Sequence, residues 1–186
     1  MTERAGATSR PRAGRRTMTA RDLAFGGLFG AAALLLPTVF HLLQLGAVFM
    51  PMYLPLVALA FVVAPGVAVT TAAMVPLVSA AVTGMPPLYP PIAFVMAAEL
   101  ALVALAIGLT TARFPRANPL LVLVSVLLLG RVVNVALMYL AARLLELPAG
   151  FIAGLSLLSG WPGILLMLVV VPPLVLAVRR RGTVHD

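Results

Sequence analysis

The chain has 186 residues, of which 62% are hydrophobic and 10% charged, with a net charge of +8 and a mean hydropathy of +1.13. Soluble domains carry roughly 45–50% apolar and about 25% charged residues, and about a third of the surface exposed by the unfolded chain stays exposed after folding. A single soluble core cannot hide this much apolar surface, and a chain so hydrophobic cannot be disordered. The solvent it calls for is lipid.

All thirteen basic residues are Arg, and there is no Cys. Six arginines (Arg4, Arg10, Arg12, Arg15, Arg16, Arg21) precede the first apolar run, and Arg179, Arg180 and Arg181 follow the last. Basic residues at membrane boundaries set orientation and meet anionic headgroups, which is a different use of charge from nucleic-acid binding. Without Cys there are no disulfides, no thiolate nucleophile and no Cys-based zinc site.

Residues 1–22 are polar and Arg-rich and read as a disordered cytoplasmic tail. The apolar run Leu23–Phe40 is too long for the core of a signal peptide and no small-x-small cleavage site follows it, so it reads as a retained first helix. A bilayer core of about 30 Å takes about 20 helical residues. Met50–Val63 is the second run, punctuated by Ala64-Pro65-Gly66, and Val67–Val82 is the third. Ile92–Leu109, Leu120–Leu145 and Ile152–Val178 follow, the last with a kink expected at Pro172-Pro173. The sequence thus predicts an all-α, polytopic membrane protein with six transmembrane helices over residues 23–178 and a short C-terminal tail, 179–186. A tight turn at Pro65-Gly66 is favoured over one long helix joining the second and third runs.

With the N-terminus inside, the cytoplasmic side collects eleven of the thirteen arginines, including Arg113 and Arg116, while Arg143 lies alone on the other side. That asymmetry predicts an even number of spans with both termini cytoplasmic.

Within the spans the ionisable residues are Glu99 and Arg131, each costly in hydrocarbon unless paired or facing water. Glu99 lies roughly 12 Å below the outer face and Arg131 about 14 Å below it, on neighbouring antiparallel helices. They therefore share a level. Asn134 and Met138 fall at i+3 and i+7 from Arg131 and share its face. One reading is a ligand cavity in the outer half of the bundle, walled by Arg131, Glu99, Asn134 and Met138. The other is a buried Glu99–Arg131 pair that fixes helix packing. A paired Arg still has spare N–H donors, so the two are compatible.

The loop Thr83–Pro91 holds four prolines in nine residues, which stiffen it and remove amide donors. Its Met85, Leu88 and Tyr89 would serve as a lid over a cavity, or Tyr89 as a headgroup anchor. His41 and Gln44, at the outer end of the first helix, are candidates for polar contacts from the opposite side. Trp161, the only Trp, suits either the aromatic belt or a stacking platform for a flat ring. In the first helix Gly26-x-x-x-Gly30 and Gly27-x-x-x-Ala31 place small residues four apart, the spacing that lets a second helix approach closely in lipid.

Several of these segments together resemble the S component, the substrate-binding membrane subunit, of energy-coupling factor transporters. The resemblance covers about residues 20–180. It rests on Leu45-Gly46-Ala47-Val48-Phe49-Met50-Pro51-Met52-Tyr53-Leu54-Pro55, on Thr83-Gly84-Met85-Pro86-Pro87-Leu88-Tyr89-Pro90, on Glu99 and on Gly130-Arg131. It implies a high-affinity binder of a water-soluble vitamin or precursor that works with a coupling transmembrane subunit and two cytoplasmic ATPases. It also implies an outer-side pocket and a partner-docking face on the first helix, where the family's small residues are Ala and this chain has Gly26, Gly27, Gly30 and Ala31.

Nothing points to a bound cofactor or metal. No span carries a nucleophile–base set, and the only histidines are His41 and His185, so an intramembrane enzyme is disfavoured. There is no phosphate-binding Gly-rich loop for the chain to power transport itself, and no inverted repeat of a stand-alone carrier. A non-transporting structural or assembly membrane protein is the alternative to a transport subunit.

Overall fold

In the computed structural model of the protein the described residues are 18–42, 50–89, 91–146 and 160–182, excepting the side chains of 41 and 179–182. Six helices make up this part of the chain: α1 (Ala20–Leu42), α2 (Tyr53–Ala60), α3 (Pro65–Thr83), α4 (Ile92–Arg113), α5 (Pro119–Leu144) and α6 (Trp161–Gly182). Five of them, all but α2, are long and apolar enough to cross a membrane. In hydrocarbon a spanning segment must satisfy its own backbone groups, and a helix does so internally.

The helix ends follow from local chemistry. Thr19 and Asp22 form a reciprocal cap: the Asp22 N–H donates to Thr19 Oγ1 at 3.2 Å, and the Thr19 N–H donates to Asp22 Oδ2 at 3.0 Å. That box starts α1 at Ala20 rather than Leu23, so the polar segment assigned to a tail contributes the first turn. Pro65 occupies the first turn of α3, where its missing N–H costs nothing, and Gly84 closes that helix with φ 72°. Asn118 caps α5 through Oδ1, which accepts the Leu120 N–H at 2.9 Å. The last helix continues through Pro172 and Pro173. The expected sixth run begins at Ile152, and its residues up to 159 lie outside the described residues, as do residues 1–17 of the expected tail.

The second expected span is where the fold departs most from the sequence reading. Only Tyr53–Ala60 is helical, eight residues or about 12 Å, and Phe61–Ala64 form the turn that separates it from α3. This short helix packs against α1, α3, α4 and α6 and buries Tyr53, Pro55, Leu56, Val57, Ala58, Leu59 and Ala60. A helix apolar on every side belongs inside a bundle, and here it is the bundle's axis. The same core holds Leu100, Ile107, Leu123, Met167, Val171 and Val175, all fully buried. By contrast α1 is peripheral: 17% of its span is buried, against 50% of that of α4.

Two contacts fix how α2 is held. The Ala64 N–H donates to Asp22 Oδ1 at 3.3 Å, which puts the α2–α3 turn beside the start of α1. Near the other end, Gly160 (φ 79°) sits so close to the Met50 side chain that a Cβ there would collide with it. The stretch from Met50 to Ala64 therefore runs back alongside α1, sheltered by the long helices.

Candidate ligand site around Arg131

Polar side chains from three elements meet at Glu99. On α4, Glu99 is 3% exposed. Its Oε2 accepts the Tyr53 hydroxyl of α2 at 2.5 Å and the Asn134 amide N–H of α5 at 2.6 Å. Bonds to a carboxylate are the stronger kind, and buried polar groups are costly without them. The carboxylate thus ties together the short axial helix and the α4–α5 hairpin.

Arg131 lies one helical turn before Asn134 and is 6% exposed. The close approach of α4 and α5 at this level depends on Gly130. A Cβ at Gly130 would stand 2.8 Å from Val103 Cγ2 and 3.6 Å from Glu99 Oε1. A larger residue would push the helices apart where Glu99 and Arg131 come level.

Although adjacent in level, Glu99 and Arg131 do not form the ion pair that the sequence left open. Glu99 turns its Oε2 to Tyr53 and Asn134 instead. The Nε and Nη2 of Arg131 are buried and find no hydrogen-bond partner among the described residues. Two unfilled donors on a buried cation are the unexplained feature of this interior, because such groups are paired in nearly all proteins. Next along the same face, Met138 is 9% exposed and Ala142 is 2% exposed.

Of the other residues singled out from the sequence, Met85, Tyr89 and Trp161 are exposed. Met85 and Tyr89 are on the surface, 51% and 69% exposed, in a loop pinned by Ser79, whose hydroxyl donates to the Met85 carbonyl at 2.6 Å. Trp161 opens α6 and is 45% exposed. The His41 side chain and Gln44 lie outside the described residues.

On α1 the two small-residue pairs separate. Gly26 and Gly30 are buried against α3, where a Cβ would meet Val67 Cγ1 at 2.9 Å and Thr71 Cγ2 at 3.3 Å, respectively. Gly27 and Ala31 are exposed, and a Cβ at Gly27 would meet nothing within 4 Å. Gly26 and Gly27 also line a shallow apolar groove of about 340 Å³ with Leu23, Val67, Thr71 and Met74. The first pair therefore serves the chain's own packing, and only the second is open to another helix.

Tyr53 was not among the candidate site residues. A signal was present: one phenol in a run that is otherwise Met, Pro, Leu, Val, Ala and Phe must find a buried acceptor, and Glu99 is the acceptor available at that depth.

With helices the only regular elements among its described residues, and five of them apolar and of spanning length, the chain has the architecture of a multi-pass membrane protein. Comparisons with protein-family models, curated proteins and solved structures return no match for it.

Proposed function

We propose that this chain is the substrate-binding membrane subunit of an energy-coupling-factor type importer, taking up a water-soluble vitamin or vitamin precursor across the plasma membrane. In this reading the chain crosses the bilayer six times, the second time through α2 and its flanking turns, with both termini cytoplasmic. Support for that orientation comes from the concentration of arginines on one side. The ligand enters from the outside and is held in the outer half of the bundle by Arg131 and its neighbours. A coupling transmembrane subunit and two cytoplasmic ATPases then drive release inward, with the open face of α1 as the docking surface.

The observation that carries the reading is Arg131, a buried guanidinium with two donors unclaimed among the described residues. Ionisable residues inside membrane bundles are expensive and are retained where they serve a ligand or a pathway. Mass spectrometry of the natively purified protein tests this directly: a stoichiometric small molecule is expected, and Arg131→Ala should abolish its retention while the protein still inserts. Unchanged retention would remove Arg131 from the pocket.

A structural or assembly membrane protein is the second reading. It is favoured by the Glu99 network, whose two bonds are made within the chain and join three helices. It predicts that no small molecule accompanies the purified protein and that Arg131→Ala affects stability alone.

A further inference from the structure

The two unclaimed donors of Arg131 are a particular pair. In a guanidinium, Nε–H and the N–H of Nη2 lie on the same edge and point in parallel, forming the side-on fork that matches the two oxygens of a carboxylate. The remaining nitrogen, Nη1, lies on the other edge. Among the described residues no carboxylate, carbonyl or hydroxyl fills that fork. The nearest carboxylate in level, Glu99, accepts from Tyr53 and Asn134 at its Oε2.

We propose that the molecule bound in this bundle carries a carboxylate, and that it docks side-on to Nε and Nη2 of Arg131. The inference rests on the binding-subunit reading above and adds the chemical class of the ligand. A single carbonyl oxygen or a hydroxyl would leave one of the parallel donors poorly served. A carboxylate, with two oxygens, serves both. The Tyr53–Glu99–Asn134 network has a definite part in this. By bonding Oε2, it sets where the Glu99 carboxylate stands beside Arg131. Tyr53 and Asn134 are in this sense positioning residues, acting on the ligand through Glu99. Met138, farther along the same face of α5, offers an apolar and adaptable surface to the rest of the molecule.

The experiment uses the full chain in detergent micelles. Molecules released on denaturation are identified by mass spectrometry. Binding of nicotinate and of pantothenate is compared by calorimetry with that of their uncharged counterparts, nicotinamide and pantothenol. The expected result is a released carboxylic acid, with the acid of a binding pair held about tenfold to a hundredfold more tightly than its neutral partner, the range for a charge-assisted pair of hydrogen bonds. Arg131→Gln should erase that difference, and Arg131→Lys should recover part of it. Tyr53→Phe should narrow it, a change in the ratio of acid to neutral affinity that a loss of stability alone would not produce. A released molecule without a carboxylate, or a neutral partner bound as tightly as its acid, overturns the carboxylate fork and leaves the binding subunit standing. If nothing is released and none of the four probes binds, both readings fall together.

Discussion

The Tyr53 hydroxyl donates to Glu99 Oε2 across 2.5 Å, joining a helix of eight residues to one of 22. Sequence separation makes the bond informative: the partners are 46 residues apart, and Asn134 reaches the same oxygen from another 35 residues on. Burial of α2 by apolar packing alone would leave its rotation and depth loosely set, since Leu, Val and Ala side chains fill space without a preferred direction. A directional bond to a carboxylate fixes both. The axial helix is therefore registered against α4 and α5 by one oxygen atom.

Tyr53→Phe should lower stability by about 1–3 kcal/mol, because it leaves the buried Glu99 carboxylate one of its two donors. Asn134→Ala should act in the same direction. Together the two should cost more than the sum of their separate effects, since the last donor to a buried carboxylate matters more than the first. Thermal unfolding of the purified protein in micelles measures all three. Unfolding temperatures unchanged in both single variants would show that the network does not hold the bundle.

Glu99→Gln and Glu99→Ala should separate sharply. The Gln carbonyl can still accept from Tyr53 and Asn134, so the hydrogen bonds survive while the negative charge is lost. Ala removes the acceptor altogether, stranding a phenol O–H and an amide N–H, and leaves a void between α4 and α5. A loss of about 2–5 kcal/mol is expected for Ala, with Gln clearly milder. Equal losses would mean that charge, and not hydrogen bonding, is what Glu99 contributes.

Much of the fold is written in hydropathy, and the exceptions have physical causes. The long helices appear as long apolar runs because lipid imposes both length and composition on them. Their ends were less legible: α1 begins at a Thr19–Asp22 box inside a segment that reads as polar tail, since a cap is made of polar residues. The second run looked like a short span because burial in a bundle and burial in lipid select the same side chains. Only contact with four other helices distinguishes α2 as an axis. At the site, depth arithmetic brought Glu99 level with Arg131. It could not say where each side chain turns, because the choice between a direct ion pair and bonds to Tyr53 and Asn134 depends on side-chain torsions. Periodicity does not encode them. Tyr53 itself was hidden among residues typical of membrane packing.

Gly26→Leu and Gly27→Leu, neighbours in sequence, should have opposite consequences. At Gly26 a Cβ would stand 2.9 Å from Val67 Cγ1, so a leucine must push α1 away from α3 and destabilise the protein. At Gly27 the space is open, and stability should stay within about 0.5 kcal/mol of the parent, as for surface substitutions generally. If the exposed Gly27–Ala31 face is where a coupling subunit docks, Gly27→Leu should still bind ligand normally but fail in uptake assays with the complete transporter. Full uptake by that variant would place the docking surface elsewhere.

Gly130→Ala tests whether the approach of α4 to α5 sets the site. The added methyl would stand 2.8 Å from Val103 Cγ2, and a β-branched side chain fixed in its rotamer has little freedom to retreat. Separation of the two helices should cost about 1–3 kcal/mol. It should also lengthen the reach from Asn134 to Glu99, weakening ligand retention as well as stability. Val103→Ala removes the obstructing methyls and, in the double variant, should restore much of both. The pair must therefore be non-additive, with the second substitution compensating for the first. If Gly130→Ala proves harmless alone, or if Val103→Ala only adds to its damage, the tight crossing at Gly130 is not what brings Glu99 and Arg131 level.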